Sequence, residues 1–476
     1  MSTSCSGELK IKEFEQCLHK WSRWKLSLLG KITVLKSFAV PKLIYPLTVL
    51  HNPDQNCINK IKKLMFQFLW DNKPEKISRE KIIQDYCHGG LKMLDIDKFI
   101  QSLKCSWVKR LKFQPDSKWV QLYETMLNKY GQQLIFKCNL NAKDTEKLDI
   151  KSRFLKDILL AWSNVNFRDD ISNIGKEIIW NNTNIKSNIK PFFFHDWADK
   201  GIIFIEHIYD YRNKQFFSFN EIHNLYNVPQ TDFLMYYQLT TCIPYQWKVK
   251  LKSEEIQYNA PEYIFEKLIP KLKTCRYIYN AILKKKTNIR INQENKWEAT
   301  MSSSFNWKII FGQIMNITID TKLRSFQYKY LMHILPNNEK LLKYGIIESS
   351  LCDFCNTTSE SNIHLFWECP NVQPFWTQIK NFLNEKLNTP SETLITYQSI
   401  SLCNVDINNK IKSNCINYII LLGKYFIFKS KYQKTIPNFM DFKYYLKYNL
   451  NLEGFIAEMK GKTDAHQTKW NAFTIL

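Results

Sequence analysis

Residues Leu351–Trp376 read LCDFCNTTSESNIHLFWECPNVQPFW, and this segment carries the most specific structural information in the chain. Four of its side chains, Cys352, Cys355, His364 and Cys369, follow the spacing Cys-x2-Cys-x8-His-x4-Cys. Zn²⁺ binds thiolate and imidazole ligands, and four protein ligands complete a tetrahedral structural site. The two-residue gap predicts that the first two sulfurs meet at one turn, and the second pair returns from a short helix or turn. Because no position is left for water, the sequence predicts a structural zinc ion and not a catalytic one.

Two alternatives to a zinc site remain open for this cluster. The chain contains 13 Cys and 9 His, so metal-capable residues can fall close together by chance. Cys352 and Cys355 can also form a disulfide, although nothing else in the chain is typical of a secreted protein. The complete quartet favours zinc over both alternatives.

The composition is that of a folded intracellular protein. The 476 residues are 45% apolar and 14% aromatic, which excludes a disordered tail and allows two to four domains or subdomains. The N-terminal residues MSTSCSGELK lack a basic segment followed by an apolar one, so no signal peptide is expected. The most apolar run, Ile416–Gly423, is too short to span a bilayer. Cysteines scattered outside the quartet indicate a reducing compartment, the cytoplasm and/or the nucleus.

The net charge of +23 predicts attraction to polyanions, and nucleic acid is the first candidate. The excess is almost all lysine, which contacts phosphate as a point charge, so sequence-tolerant binding of RNA and DNA is expected. Aromatic residues alternate with lysine at Trp21–Lys25, Phe66–Lys73 and Phe192–Lys200. Such bands are typical of base-stacking platforms, but also of amphipathic helices whose lysines cover apolar surface. A coding bias toward Lys, Asn and Ile would produce the same charge.

The hydrophobic periodicity predicts a mainly α, multi-subdomain helical protein with a small CCHC zinc-knuckle region near the C-terminus. Ile61, Met65 and Phe68 recur at helical spacing, and Ile416–Lys431 is predicted to be one buried helix. Ser218 and Glu221 form a predicted capping box, and Thr231 is predicted to cap the following helix. The Lys- and Asn-rich residues 284–296 are the predicted linker.

Three groups of segments resemble LINE-type non-LTR retrotransposon proteins, and together they cover nearly the whole chain. The run WSRWKLSLLGKITVLKSFAVPKLIYPLTVL (Trp21–Leu50) and the segment HGGLKMLDIDKFIQSLKCSWVKRL (His88–Leu111) are similar to the region after the polymerase palm. The segments PFFFHDWADKGIIFIEHIYD, FSFNEIHNLYN, FLMYYQL and IPYQWK resemble the helical part that follows. The quartet and its flanking tryptophans resemble the family's C-terminal zinc knuckle.

The resemblance implies an organisation and a set of partners. Residues 1–130 would form a thumb-like helical region, 131–283 a helical middle region, and 297–476 a C-terminal region with the zinc knuckle at about 350–378 and terminal helices. Template RNA, target DNA and the polymerase-bearing portion of the same element are the implied partners; the oligomeric state is not implied. The residues expected to contact nucleic acid are Lys25, Lys31, Lys36, Lys62, Lys63, Trp367 and Trp376.

Polymerase chemistry is not expected of this chain. The family's polymerase uses paired aspartates to bridge two metal ions, whereas Asp169–Asp170 lies in a polar stretch and is predicted to be a turn or cap. The endonuclease module is not recognised either, so the resemblance implies a truncated product. Cys87-His88-Gly89-Gly90 is predicted to be a loop, His195-Asp196 a surface or capping pair, and His333 a packing histidine on an amphipathic helix.

Three functional hypotheses follow. The first is a nucleic-acid-binding and zinc-binding C-terminal fragment of a LINE-type reverse transcriptase, without polymerase activity of its own. The second is a non-catalytic structural or protein-interaction remnant whose basic charge reflects coding bias. An enzyme hidden in the aromatic-rich middle is the weakest, because no acid–base pair or open metal site accompanies it.

Overall fold

The protein is mainly α, as its sequence predicts. A computed structural model describes residues 3–114, 116–169, 171, 173–187, 190–253, 264, 267, 273–284, 292–387, 395–405, 407 and 409–471. The α-helices of these residues are Thr3–Ser22, Leu28–Val34, Pro41–Val49, Gln55–Trp70, Arg79–Ile83, Ile96–Phe113, Lys118–Leu127, Ala142–Glu146, Arg153–Asn166, His195–Asp199, Phe219–Tyr226, Phe233–Cys242, Tyr245–Ser253, Thr274–Lys284, Asn292–Met301, Trp307–Ile317, Thr321–Leu331, Asn338–Lys343, Gln373–Leu387, Tyr397–Leu402, Lys410–Gln433, Phe439–Met459 and Thr463–Trp470.

Shorter elements connect these helices. Two antiparallel strand pairs are present in the described residues, Lys186–Ser187 with Lys190–Pro191 and Tyr209–Asp210 with Gln215–Phe216. The 3₁₀ segments are Tyr86–His88, Asn128–Tyr130, Gln132–Phe136, Ile205–Ile208 and Gln230–Asp232, and the π-helical turns are Leu35–Ala39 and His364–Glu368.

The chain forms two compact units, each assembled from separate segments. The first contains Met1–Phe14, Val40–Lys63 and Asp95–Thr287, and the second contains Glu15–Ala39, Leu64–Leu94 and Asn288–Leu476. The domain boundaries expected from the sequence stay predictions. Residues 285–291 of the expected linker lie outside the described residues.

The first unit is built around the helix Ile96–Phe113, which packs against Arg153–Asn166 and Thr274–Lys284. Lys104 is fully buried in this unit. The Lys104 ammonium donates hydrogen bonds to the carbonyl oxygens of Leu47, at 2.9 Å, and Leu50, and lies 4.6 Å from the centre of the Phe154 ring. The ammonium loses its water on burial, and these carbonyl oxygens take the place of that water as hydrogen-bond acceptors.

The second unit is organised by Lys410–Gln433, whose middle residues are almost all buried. This helix contacts the helices Trp307–Ile317, Thr321–Leu331, Tyr397–Leu402, Phe439–Met459 and Thr463–Trp470. Lys424 is fully buried on it, and its ammonium donates to Gln327 Oε1 at 2.6 Å and to the Ser401 carbonyl at 3.1 Å. The sequence prediction of a buried helix over Ile416–Lys431 is confirmed.

Local predictions around the helix ends are confirmed in one case and wrong in another. Ser218 Oγ accepts a hydrogen bond from the Glu221 N–H, and Glu221 Oε2 accepts one from the Ser218 N–H at 2.6 Å, which completes the capping box. Thr231 does not cap the next helix: it lies within a 3₁₀ turn, and the helix begins after Asp232 without a side-chain cap. The turn replaces the cap because Gln230–Asp232 already bends the backbone into the helix.

The other motifs noted in the sequence, at Cys87–Gly90, His333 and Asp169–Asp170, are described by their local structure. The Cys87–Gly90 motif forms a 3₁₀ turn and a tight loop: Gly89 has a φ of +70°, and a Cβ on Gly90 would lie 2.0 Å from the Gln84 carbonyl oxygen. His333 packs on Trp297, with ring centroids 4.5 Å apart, but it follows the helix Thr321–Leu331 and has a φ of +53°. Asp169 is exposed, and Asp170 lies outside the described residues.

Among the described residues, each helix taken singly is too short or too polar to cross a bilayer. The helical segments Leu28–Ala39 and Pro41–Val49 meet the length and composition criteria only when they are joined as a bent pair.

Candidate metal centre

The first two ligands of the quartet lie on a tight hairpin. Leu351 and Ser359 form an isolated antiparallel bridge, and the Cys352 N–H donates to the Thr358 carbonyl at 2.9 Å. The chain reverses at Asn356, whose N–H donates to the Cys352 carbonyl at 2.9 Å and whose φ is +51°. Asn tolerates this left-handed conformation better than most residues. The hairpin therefore brings Cys352 and Cys355 to one end, as the two-residue gap predicts.

The other two ligands are positioned by a single π-helical turn, His364–Glu368. Ser361 Oγ accepts a hydrogen bond from the His364 N–H at 3.0 Å at the start of this segment. At its end, the Cys369 N–H donates to the His364 carbonyl at 2.9 Å, five residues back. The wider turn places the imidazole and the thiol of Cys369 on the same side of the backbone. The sequence predicts a short helix or turn here, and the structure identifies it as a π-turn.

The four ligand atoms converge. The Sγ atoms of Cys352, Cys355 and Cys369 and a ring nitrogen of His364 all lie within 4.8 Å of one another. Cys352 Sγ is 3.9 Å from Cys369 Sγ, and Cys355 Sγ is 3.3 Å from His364 Nε2. With Zn–S bonds of about 2.3 Å and a Zn–N bond of about 2.0 Å, tetrahedral geometry separates two sulfurs by about 3.8 Å and a sulfur from a nitrogen by about 3.5 Å. The two individual distances match tetrahedral zinc geometry, and the 4.8 Å limit on the whole group is about 1 Å longer than that geometry requires.

The environments of the three thiols differ. Burial raises the pKa of Cys352, and burial together with the neighbouring sulfurs raises that of Cys369 to about 12. Burial also acts against ionisation of Cys355, but hydrogen bonds from Thr357, Thr358 and His364 outweigh it and lower the pKa to about 6. Three sulfurs held this close repel one another as thiolates, and a divalent cation is the group that removes this repulsion.

The disulfide alternative is not realised in this structure. Cys352, Cys355 and Cys369 are free thiols, as are the other cysteines whose side chains the structure describes. The donor set of three sulfurs and one imidazole is typical of a closed structural zinc site.

Hydrogen bonds around the quartet fix the ligand-bearing segments. Thr357 Oγ1 donates to the Cys355 sulfur at 3.2 Å, and Asn371 Nδ2 donates to the Phe354 carbonyl at 2.6 Å, which joins the two ligand pairs. Trp376 is buried, and its indole N–H donates to the Phe366 carbonyl at 2.7 Å. Such outer contacts orient metal ligands and tune their affinity.

A buried ion pair attaches the knuckle to the rest of the second unit. The side chain of Glu360 is fully buried, that of Lys431 is 5% exposed, and the two are directly paired. Asn338 completes the group, because its N–H donates to Glu360 Oε1 at 3.0 Å and its Oδ1 accepts from Lys431 Nζ at 2.8 Å. Sequence reasoning did not identify these residues, since partners this far apart along the chain leave no local pattern.

The residues expected to contact nucleic acid have varied surroundings. In the second unit, Lys25 and Lys36 are exposed and Trp367 is half-buried. Lys31 is 4% exposed, and its ammonium is paired with Asp71 at 2.5 Å. In the first unit, Lys63 is exposed, and Lys62 is paired with Asp97 at 2.6 Å. Their contact with nucleic acid stays a prediction, and burial leaves Lys31 and Trp376 little surface for it.

A family model described as zinc-binding in reverse transcriptase matches residues 274–376. The match includes all four residues of the quartet and ends at Trp376. This segment is therefore similar to the zinc-binding regions of reverse transcriptases, and the convergence of its four ligand atoms supports that similarity.

Proposed function

We propose that the chain is the nucleic-acid-binding, zinc-binding C-terminal part of a LINE-type reverse transcriptase and has no polymerase activity of its own. The observation that carries the proposal is the convergence of four ligand atoms within 4.8 Å, inside a segment that matches a reverse-transcriptase zinc region. Zinc is the proposed structural cofactor. RNA and DNA, and the polymerase-bearing portion of the same element, are the proposed partners in the cytoplasm and/or nucleus.

Charge supports the nucleic-acid part of the proposal. The chain carries 67 Lys and Arg against 44 Asp and Glu. An excess of this size attracts a polyanion over distances comparable with the Debye length. Because lysine predominates, binding should depend on phosphate contacts and should vary little with base sequence.

An exposed cluster of rings and cations in the second unit supplies a specific candidate surface. Trp24 is 67% exposed and Phe38 is 50% exposed, and the ring of Phe38 lies 5.0 Å from that of Trp21. Lys25 and Lys36 are exposed in the same short segments. Aromatic faces beside phosphate-binding cations are the arrangement that holds single-stranded nucleic acid. The family resemblance of this stretch agrees with such a role.

The binding experiment uses fluorescence anisotropy with labelled single-stranded RNA and DNA over a series of salt concentrations. Wild-type affinity should fall steeply as salt rises, because bound phosphates release counterions. The double variant Trp24→Ala/Lys25→Ala should bind about tenfold more weakly. The matched control, Tyr245→Ala/Lys250→Ala, removes one exposed ring and one exposed cation from the first unit and should retain most of the affinity.

Each outcome has a defined meaning. If both double variants lose affinity equally, the protein binds nucleic acid, but the exposed surface around Trp24 and Lys25 is not its specific binding surface. No binding of either strand at low salt would contradict the proposal and favour a structural or protein-interaction remnant whose charge reflects coding bias.

The absence of polymerase activity is tested by primer extension on a homopolymer template. We expect no incorporation of nucleotides. Incorporation that disappears in the variant Asp169→Asn would overturn this part of the proposal, because paired carboxylates are what a two-metal mechanism requires.

A further inference from the structure

The helix Phe439–Met459 is apolar on two opposite faces. Its inner face packs into the second unit through Phe442, Leu446 and Leu450, which are buried. Its outer face carries six large apolar side chains with exposed fractions between 45% and 75%, namely Met440, Tyr444, Tyr448, Leu452, Phe455 and Met459. At 3.6 residues per turn these six fall within an arc of about 120°, opposite the buried face. The same arc contains two exposed polar side chains, Asp441 and Asn451. We call the set of six apolar side chains the outer stripe.

A helix that is apolar on both sides is normally covered on both sides. Isolated apolar residues are common on protein surfaces, but a continuous patch of several hundred Å² is typical of an interaction site. The outer stripe runs the length of a helix of about 30 Å. Its Tyr, Phe and Met residues are of the types that are enriched in protein interfaces. The stripe is therefore suited to a protein partner more than to a phosphate backbone.

We propose that the outer stripe binds the same stripe of a second copy of this chain, with the two helices antiparallel. In this arrangement Met440 lies opposite Met459 of the second copy, Tyr444 opposite Phe455, and Tyr448 opposite Leu452. Each side chain meets one of similar size, and the arrangement is closed by a two-fold axis near the middle of the helix.

The charges on the helix favour the antiparallel direction. Lys443 and Glu458 lie along the same edge of the outer stripe, near opposite ends of the helix; Glu458 is exposed and Lys443 half-buried. Antiparallel pairing brings Lys443 of each copy within about one helical turn of Glu458 of the other, on the same side of the interface, whereas parallel pairing would leave them about 22 Å apart along the helix axis. Because of the two-fold symmetry, the dimer contains two such Lys443–Glu458 pairs.

The exposed area of the outer stripe is close to the area that each partner contributes to a standard protein interface. Large aromatic side chains bury 150–250 Å² each, so the exposed portions of the six side chains supply roughly 700 Å². A stable standard interface covers about 800 Å² on each partner. A dimer through this stripe alone therefore buries at most about the area of a standard interface and should be reversible.

The test measures the oligomeric state of the full chain by sedimentation equilibrium over a range of concentrations. The samples are treated with nuclease and kept in salt that releases nucleic acid. Wild type should associate to a dimer. Tyr444→Lys/Phe455→Lys should raise the dissociation constant about a hundredfold or more, since it places charges in the middle of the interface. The matched control Leu234→Lys/Tyr245→Lys adds the same charge at exposed apolar positions of the first unit and should dimerise as wild type does.

A charge exchange tests the antiparallel direction. Lys443→Glu should weaken the dimer by several-fold because it faces Glu458 of the second copy, and Lys443→Glu/Glu458→Lys should restore wild-type association. A wild-type chain that stays monomeric at all concentrations would overturn the proposal, as would a dimer that is indifferent to Tyr444→Lys/Phe455→Lys. If that variant instead lowers only the affinity for single-stranded RNA, the stripe binds nucleic acid and not a second copy. Circular dichroism verifies that each variant is folded.

Discussion

Glu360 and Lys431 form a buried ion pair although they are 71 residues apart in the chain. Glu360 belongs to the segment between the two ligand pairs of the knuckle, and Lys431 lies near the end of the long helix Lys410–Gln433. The pair therefore fastens the zinc region to the most buried helix of the second unit. Folding of the knuckle and docking of this helix are expected to be coupled.

Lys431→Met should lower the free energy of unfolding by about 3–5 kcal/mol, because it leaves the carboxylate of Glu360 buried without a counter-charge. Chemical denaturation of the zinc-loaded protein measures the change. Lys410→Met removes an exposed lysine from the start of the same helix and should have little effect. In the double variant Lys431→Met/Glu360→Leu no buried charge is left unpaired, because the other carboxylate near Lys431, Asp353 at 3.6 Å, is exposed. The double variant should therefore be more stable than Lys431→Met alone. A double variant less stable than the single one would contradict the proposed role of the pair.

Removing one zinc ligand should abolish the metal site. Wild type is expected to carry one zinc per chain, measured by elemental analysis, and Cys355→Ser should carry far less. Zinc binding to small structural sites contributes on the order of 10 kcal/mol of apparent folding free energy, so the knuckle should become the first region cut by a protease. Cys242→Ser, at a half-buried thiol outside the quartet, serves as the control. Zinc-free wild-type protein that resists protease as well as the loaded form would count against a structural metal.

The hydroxyl of Thr357 should tune zinc affinity through its hydrogen bond to the Cys355 sulfur. Thr357→Val keeps the shape of the side chain and removes the donor, so the sulfur becomes a more basic but less well oriented ligand. We expect the affinity for zinc to fall by about tenfold, as measured by competition with a chelator. Thr377→Val, in which the lost hydroxyl bonds only within a helix, should match wild type. Equal affinities for all three proteins would show that Thr357 does not support the site.

Stability should decrease as the pH falls from about 6.5 to about 4, in part because of His333. Burial, reinforced by Lys340 and Lys296, lowers the pKa of His333 to about 4. The ordinary histidine pKa is about 6.5, so between these values the unfolded chain binds the proton more readily. The stability is therefore complete above about pH 6.5, falls through this window and levels off below it.

His333→Asn should flatten this dependence, because Asn does not titrate in the window and tolerates the left-handed backbone at this position. Denaturation midpoints of the two proteins at several pH values give the comparison. His19→Asn, at an exposed histidine, should retain the wild-type slope. A slope unchanged in His333→Asn would assign the pH dependence to other groups.

Local patterns in the sequence were sufficient to predict the helical class and the convergence of the four side chains of the quartet. Hydrophobic spacing predicted the buried helix at Ile416–Lys431, and the quartet spacing predicted a convergence that the structure contains. The capping box of Ser218 and Glu221 is equally local. Each of these features is set by residues within a few turns of one another, where chain geometry alone limits the arrangement.

Long-range pairing was not predictable in the same way. Nothing near Lys104 or Lys424 in the sequence indicates that their ammonium groups are buried, since their acceptors belong to distant segments. Likewise, local sequence patterns do not predict that each unit is assembled from separate segments of the chain. The cap assigned to Thr231 failed because a 3₁₀ turn competes for the same residues.

Lys424 and Lys431 occupy the same helix, seven residues or about 10 Å apart along its axis. One ammonium is anchored to Gln327 and Ser401, and the other to Glu360 and Asn338. A shift of the helix by one turn along its axis, or a rotation that turns these side chains away, would separate both ammonium groups from their acceptors and leave them buried in apolar surroundings. The two lysines therefore define a single packing register for this helix, which its many Ile and Leu residues alone would not specify.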